Sequence, residues 1–344
     1  MRAEIVKRIA RECGFDLSGV ASADPPEDFA RYQAWVAQGF AGEMRYLTDR
    51  RSDIRRDVRH LLPSARSVIC VGKLYNREPA PAAPGHGIVA RYAWGRDYHE
   101  LLRRGLEELA RRLREIEPFE SKICVDTAPI LERTLARQAG LGWIGKNTCL
   151  IHEPMGSWFF LGELITSLAL DADTPPPDRC GTCTRCIDAC PTQALVPAGD
   201  GFGAGFNLDA RRCISYFTIE LRGPIPEEHR RDIGELVLGC DICQDVCPWN
   251  ARAPISDAFD SVDGAPELAA CSRLSEDEFQ SRFAGSALSR PKYSGFLRNV
   301  AIAMGNSGLE HFHEPLEALS RHPDPLVAEH AQWALKRLDE SVQP

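Results

Sequence analysis

The chain has 344 residues, 44% hydrophobic, 26% charged and 8% aromatic, the values of an ordinary globular protein with material for two or three domains. Its formal net charge of -8 argues against a surface that is basic throughout, so any nucleic acid has to be met by a local basic patch. No run approaches about 18 uncharged apolar residues, and Arg2, Glu4, Lys7 and Arg8 charge the first turn, so neither a membrane span nor a signal peptide is expected and a cytoplasmic location is.

In chain order, residues 3–13 have the spacing of an amphipathic helix, residues 67–72 and 122–126 are apolar runs of strand length, and residues 98–116 return to helical spacing with Arg and Glu outside. Strands alternating with helices predict an α/β (α+β) domain over residues 1–172, its sheet covered by helices. Residues 78–87, with Pro79, Pro81 and Pro84, are expected to form a loop, and Pro175-Pro176-Pro177 marks a domain boundary. Residues 173–256 hold dense cysteines with little periodicity, so their order is expected to depend on bound metal. Residues 257–344 turn helical. Ser275-Glu276-Asp277-Glu278 is a capping box, and helices are expected near 290–304, 309–320 and 326–338. The last two, with Leu316, Leu319, Val327, Ala331 and Leu335 apolar, resemble one unit of a HEAT-like helical solenoid.

Thirteen cysteines without a secretory signal read as metal ligands before disulfides. Cys180, Cys183, Cys186 and Cys190-Pro191 have the bacterial ferredoxin spacing, in which three thiolates grip one [4Fe-4S] cluster and the fourth serves the other. Cys240, Cys243 and Cys247-Pro248 repeat the pattern one ligand short, and Cys213 is the natural replacement. This assigns Cys180, Cys183, Cys186 and Cys247 to one cluster and Cys190, Cys213, Cys240 and Cys243 to the other. A pair of zinc sites also tolerates Cys-x-x-Cys spacing, but does not explain two Cys-Pro endings in the ferredoxin register. Cys13, Cys70, Cys124, Cys149 and Cys271 have no close partners and read as small buried residues.

Clusters relay electrons and need a terminus, which directs attention to the first domain. Gly140-Leu-Gly142-Trp-Ile-Gly145 satisfies G-x-G-x-x-G but follows a helical stretch, which argues against dinucleotide binding. Asp97-Tyr98-His99 begins the Asp-x-His-x-x-Gly signature of one class of cobalamin enzymes, but Leu102 replaces its glycine.

Residues 92–99 (Tyr-Ala-Trp-Gly-Arg-Asp-Tyr-His), 125–133 (Val-Asp-Thr-Ala-Pro-Ile-Leu-Glu-Arg), 140–148, 156–163 and 298–306, with the cysteine pattern, resemble the epoxyqueuosine reductase family over nearly the whole chain. That resemblance implies a core similar to reductive dehalogenases, cobalamin beside two [4Fe-4S] clusters, and the last step of queuosine formation in tRNA. It also implies Asp126 as proton donor, a role expected to need a carboxyl pKa raised by burial; the residue-level alternative is an N-cap for the helix that follows. Arg50, Tyr92, Asn147, Thr148, Ser157 and Arg222 are the candidate cobalamin contacts, with Asp126 beside the corrin, and Lys146 and Arg96 are candidate phosphate partners. For the anticodon stem-loop of tRNA the candidates are Arg290, Lys292 and Arg298, which cluster with Tyr293 and Phe296. Arg103, Arg104, Arg111 and Arg112 read instead as a solvated face balanced by Glu107, Glu108 and Glu115. A low-potential electron donor is implied but not identified. The alternative is a corrinoid, reductive dehalogenase-like oxidoreductase acting on a small molecule, which has no need of the helical tail around Arg298-Asn299.

Overall fold

A computed structural model describes residues 1–78, 83–199, 205–259 and 264–342; Pro79 and Pro81 of the expected loop lie outside the described residues. Its centre is a four-stranded sheet of β1 (Leu17–Ser22), β2 (Ser67–Leu74), β3 (Ser121–Cys124) and β4 (Phe159–Thr166), in the order β1-β2-β4-β3 with every pair antiparallel. The central strands β2 and β4 are almost wholly buried, because helices cover both faces. On one face lie α1 (Ala3–Glu12) and α2 (Tyr98–Arg114), with Val6, Ile9, Leu102, Leu106, Leu109 and Leu113 packed on Ile69, Val71 and Leu164. The four buried leucines of α2 recur at helical spacing, each contributing about 2 kcal/mol by burial. The outer arginines of this helix pair locally, Arg104 with Glu100 and Arg111 with Glu108 and Glu115, as the solvated-face reading expects. On the other face α3 (Glu132–Gln138) packs Leu135 and Ala136 on Val68, Cys70 and Ile165.

The proline-rich segment after β4 is strapped to the sheet domain. Asp173 N donates to the Val20 carbonyl at 2.8 Å, and its carboxylate accepts the Val20 N–H at 2.8 Å and takes the Lys7 ammonium at 2.6 Å. The cysteine-rich region consists of short helices, turns and three-residue strands. The C-terminal region contains α4 (Lys292–Ser307), α5 (His313–Ser320) and α6 (Pro325–Val342), preceded by the expected capping box at Ser275. Its core takes in Val89 and Ala93 from the first region and Val237 and Leu238 from the second, so one hydrophobic cluster crosses the expected boundary at 256. Among the described residues no helix is long and apolar enough to cross a membrane.

Helix α4 is buried all round from Gly295 to Gly305, and this corrects one expectation. Arg298 is 0% exposed and is not available to RNA. Its guanidinium donates to the carbonyls of Leu221 at 3.0 Å, Gly223 at 2.7 Å and Phe217 at 2.5 Å, and to Asn299 Oδ1. Asn299 continues the network by donating to Thr218 and Val237 carbonyls. Burial, with Arg222 and Arg230 nearby, lowers the Arg298 pKa to about 10, still charged at neutrality and satisfied by carbonyl dipoles.

Candidate functional site

A cavity of about 900 Å³ opens between the sheet domain, the cysteine-rich region and the start of α4. That is near the upper end of ordinary ligand pockets, roughly 300–1,000 Å³. Tyr32, Trp35, Met44, Tyr46, Ile130 and Ile144 supply apolar wall, while Arg222, Arg290 and Lys292 supply charge.

Asp126 lies on its wall, in the turn that leaves β3, with its side chain 44% exposed. The turn is unusual. Among the described residues four non-glycines adopt left-handed φ, and three of them, Asp126 (50°), Thr148 (61°) and Lys292 (64°), line this cavity. Each such conformation costs about 1–3 kcal/mol and persists only where neighbours hold it, and such residues cluster at working sites. Helix α3 begins at Glu132 with Leu131 at its N-cap, so Asp126 is not the cap.

A chain of polar contacts fixes the Asp126 carboxylate. Asp97 caps α2 by accepting the His99 N–H at 3.0 Å and also meets His99 Nδ1 at 2.5 Å. The imidazole then reaches Asp126 Oδ2 through Nε2 at 3.1 Å. The ring is stacked on Tyr98 (centroids 4.4 Å apart), which is itself stacked on Phe160 (3.9 Å). Arg290 donates to the Tyr98 hydroxyl at 3.2 Å and faces Asp126 Oδ2 at 3.8 Å.

These neighbours overturn the expectation of a raised carboxyl pKa. Burial in the cleft works to raise it, but the His99 hydrogen bond and the Arg290 charge outweigh burial and hold Asp126 below its ordinary value. His99 moves the other way, because its bond to Asp126, reinforced by Asp97, outweighs the cost of burial. A proton shared by the pair therefore favours the imidazole over the carboxyl. Sequence reasoning quoted His99 but gave it no role; its position two residues past a capping aspartate was the available clue.

Two more carboxyls lie behind Asp126. Glu132 lines the cavity and its Oε1 accepts the Asp126 N–H at 2.7 Å. Glu163, mid-β4, is 0% exposed and neither carboxyl oxygen meets a donor. Burial, then like charge, pushes both pKa values up, Glu163 well above the ordinary carboxyl range.

Of the candidate cobalamin contacts, Thr148 and Arg222 line the cavity. Tyr92 faces Arg290 (5.8 Å from guanidinium to ring) and its buried hydroxyl has no hydrogen-bond partner, as does Nη1 of cavity residue Arg55. Buried donors left open in this way fit a ligand rich in amide and phosphate acceptors. Arg50 is exposed and outside the lining. Asn147 and Ser157 are corrections: both are buried and bound elsewhere. Asn147 donates to the Cys243 carbonyl at 3.3 Å and accepts from Cys149 N, while Ser157 is held by Asn250 and Gln244. Lys146 is likewise tied to the Gly181 and Cys183 carbonyls at 2.7 and 2.9 Å, and is not placed to hold a phosphate. The glycine motif serves packing: a Cβ on Gly142 would meet Ile151 O at 2.2 Å.

The mutual contacts of the cysteines are compatible with the two proposed quartets. Cys186 is within electrostatic reach of Cys180, Cys183 and Cys247; Cys240 of Cys190 and Cys213; and Cys243 of Cys240 and Cys213. Donors lie near two of the sulfurs, with Ala194 N 3.3 Å from Cys190 Sγ and the buried Trp143 indole beside Cys180. Among the described residues no three His, Cys, Asp or Glu side chains converge on a single-ion site, a convergence that a four-iron cube, bound at its corners, does not require. The residues present thus fit two cubanes. Cys70, Cys124 and Cys271 are buried as expected, but Cys149 hydrogen-bonds the ligand Cys243.

Comparison with known proteins follows the same division. Residues 179–250 match a 4Fe-4S double cluster binding domain, and residues 55–127 match the family described as epoxyqueuosine reductase QueG, DUF1730. The chain is 44% identical to the epoxyqueuosine reductase of Xanthomonas campestris pv. campestris over 96% of its length and 94% of the relative's. It is 39% identical to that of Escherichia coli K12, covering 97% and 88%. An epoxyqueuosine reductase crystallised with a tRNA-Tyr epoxyqueuosine-modified stem loop superposes with TM-score 0.87 at 30% identity, over 97% of this chain and 89% of that one. A Bacillus subtilis epoxyqueuosine reductase, solved with its catalytic aspartate loop swung out of the active site, superposes with TM-score 0.85 at 28% identity, over 97% and 90%.

Proposed function

The chain belongs to the epoxyqueuosine reductase family of oxidoreductases, and from that membership we propose that it reduces epoxyqueuosine to queuosine in the anticodon loop of tRNA, in the cytoplasm, as the last step of queuosine biosynthesis. The reaction turns an epoxide-bearing cyclopentane into a cyclopentene, taking up two electrons and two protons and releasing water. The two cysteine quartets would hold [4Fe-4S] clusters, which would supply single electrons drawn from a low-potential donor. Cobalamin, when bound in the cavity, supplies a strongly reducing centre that no side chain offers. Thr148 and Arg222 on the cavity wall, with the open donors of Arg55 and Tyr92, are the residues that would hold it.

The chain's own residues manage the proton. Asp126 delivers it to the departing oxygen, and His99, kept protonated by Asp97 and Asp126, is its source. When substrate closes the cleft and removes water, the burial effect on Asp126 grows and the proton moves from imidazole to carboxyl. Arg290 steadies the carboxylate before transfer, and Lys292, exposed at the cavity edge, meets the RNA backbone. The modified base enters the cavity by turning out of the loop. The aspartate loop of the Bacillus subtilis relative has an outward position, and the same mobility is proposed for residues 125–131 here.

The observation that carries this reading is the Asp126 carboxylate held between His99 and Arg290 on the wall of a cavity bordered by the cysteine-rich region. The test is anaerobic reconstitution with iron, sulfide and cobalamin, then turnover on tRNA carrying epoxyqueuosine, read by nucleoside mass spectrometry as loss of one oxygen. Cobalamin-dependent conversion is expected. Full iron loading with no corrin uptake and no conversion would overturn it.

A further inference from the structure

Glu132 has no part in the chemistry assigned above, yet it stands half-buried beside the acid. It opens α3, and its Oε1 accepts the backbone N–H of Asp126 at 2.7 Å. The turn it reaches belongs to no helix or strand, and Asp126 holds φ 50°, a conformation that an L-residue leaves readily unless its backbone is held. The other bonds within the turn are local: Thr127 N to Val125 O and Ile130 N to Ala128 O. The His99 contact fixes the Asp126 side chain and leaves its backbone to Glu132.

We propose that Glu132 is the latch of the acid-bearing turn: by accepting the Asp126 N–H it keeps the carboxyl aimed into the cavity, which makes it a positioning residue for proton delivery. The inference rests on the reading of Asp126 as proton donor. Glu163 explains why a carboxyl suits the task. It lies within electrostatic reach of Glu132 and is itself buried without a donor, so a second full charge beside it is disfavoured. A neutral Glu132 still offers an acceptor oxygen to the Asp126 N–H, without placing a second full charge beside the ionised acid. Glutamine has the same shape and the same acceptor.

Three variants test the latch in the reconstituted holoenzyme: Glu132→Gln, Glu132→Leu and Glu132→Asp. Each is read by kcat and KM on modified tRNA and by hydrogen exchange of the peptide containing Asp126. Glu132→Gln is expected within about threefold of wild type in kcat, and Glu132→Leu to lose about 10- to 100-fold with KM changed less than about threefold and faster exchange at Asp126. Glu132→Asp, one methylene too short to reach the N–H, should also lose kcat and protection, and it carries the test if the leucine variant fails to fold. Wild-type kcat and exchange in both Glu132→Leu and Glu132→Asp would overturn the latch. So would a Glu132→Gln loss as deep as that of leucine, which would make the residue a proton carrier. Failure of the underlying reading looks different: wild type inactive, or Asp126→Asn fully active. The exchange measurement needs no turnover and reports on the latch in either case.

Discussion

In the cleft, Arg290 donates to the Tyr98 hydroxyl, lies over the Tyr92 and Tyr98 rings at 5.8 and 5.6 Å, and stops 3.8 Å short of the Asp126 carboxylate. In the C-terminal layer, Arg298 has its donors matched to three backbone carbonyls and the Asn299 oxygen. Arg290 is half-buried on the cavity wall, and only Arg298 is closed off from solvent. The Arg290 surroundings also contain left-handed backbone at Asp126 and Lys292, buried carboxyls and an unmatched tyrosine hydroxyl. Such a site is stable only because its frame is rigid, and it is free to respond when a ligand arrives. The Arg298 network has nothing left to offer a ligand, so its value is structural: it ties α4 to residues 216–223, just beyond the ligand Cys213.

The deepest effect should come from the open side. Asp126→Asn keeps shape but removes the transferable proton, and turnover should fall by about 10³-fold while iron content and cluster absorbance stay unchanged. Next comes Arg298→Ala, which takes the guanidinium away from the carbonyls of Phe217, Leu221 and Gly223. A stability loss of about 3–5 kcal/mol is expected, read as a lower thermal midpoint together with loss of iron. Arg290→Ala sharpens the contrast: turnover should drop about tenfold or more while the thermal midpoint moves little. If the two arginine variants lost stability and turnover in the same proportion, the contrast between open and closed sites would break.

How legible this was follows from the range of each interaction. The cluster-binding region was readable because Cys-x-x-Cys spacing is local chemistry, and residues 179–250 match a double cluster binding domain. Elements such as α1, α2 and β2 were readable from periodicity to within a few residues. The His99 contact with Asp126 spans 27 residues and the Arg290 contact far more, and no spacing rule reaches across such gaps. Arg298 was misread by composition, since an arginine near aromatics suggests RNA. The contrary clue stood beside it: Val300, Ala301, Ile302, Ala303 and Met304 are apolar in succession, and a helix apolar all round is an interior helix. Asn147 and Ser157 were misread for the same reason, because a polar side chain near a motif is as readily a strut between regions as a ligand contact.

The acid pair gives a prediction with a definite sign. Asp126 is held below its ordinary value, so its share of the pair's stability is present above about pH 3.9 and is lost as pH falls through the lowered value. His99 is raised, so its share is present below about pH 6.5 and is lost as pH rises through the raised value. The reaction needs the proton the pair holds, so kcat should stay level at mildly acid pH and decline on an alkaline limb above about pH 6.5. His99→Gln removes the first of the effects that lower Asp126 and also removes the proton store. The limb should move below about pH 6.5, towards the titration of Asp126 alone, with a loss at pH 7 of about tenfold. An unchanged alkaline limb in His99→Gln would show that another group sets it.

The smallest effect belongs to Lys292, and it separates RNA binding from chemistry. Lys292 is exposed at the cavity edge in left-handed backbone, at the first turn of a helix whose remainder is buried. Its charge is thus fixed in place beside the cleft without a burial penalty, as suits a phosphate contact and not an interior tie. Lys292→Ala should leave kcat and the thermal midpoint near wild type, raise KM for modified tRNA a few-fold, and reduce the salt slope of tRNA affinity by about one phosphate. Arg298→Ala, measured at a temperature where it remains folded, should leave that slope unchanged, because a guanidinium bound to interior carbonyls displaces no counterions from RNA. A slope reduced in Arg298→Ala and not in Lys292→Ala would reverse the roles of the two residues, and with them the claim that an arginine matched to interior carbonyls has nothing left for a ligand.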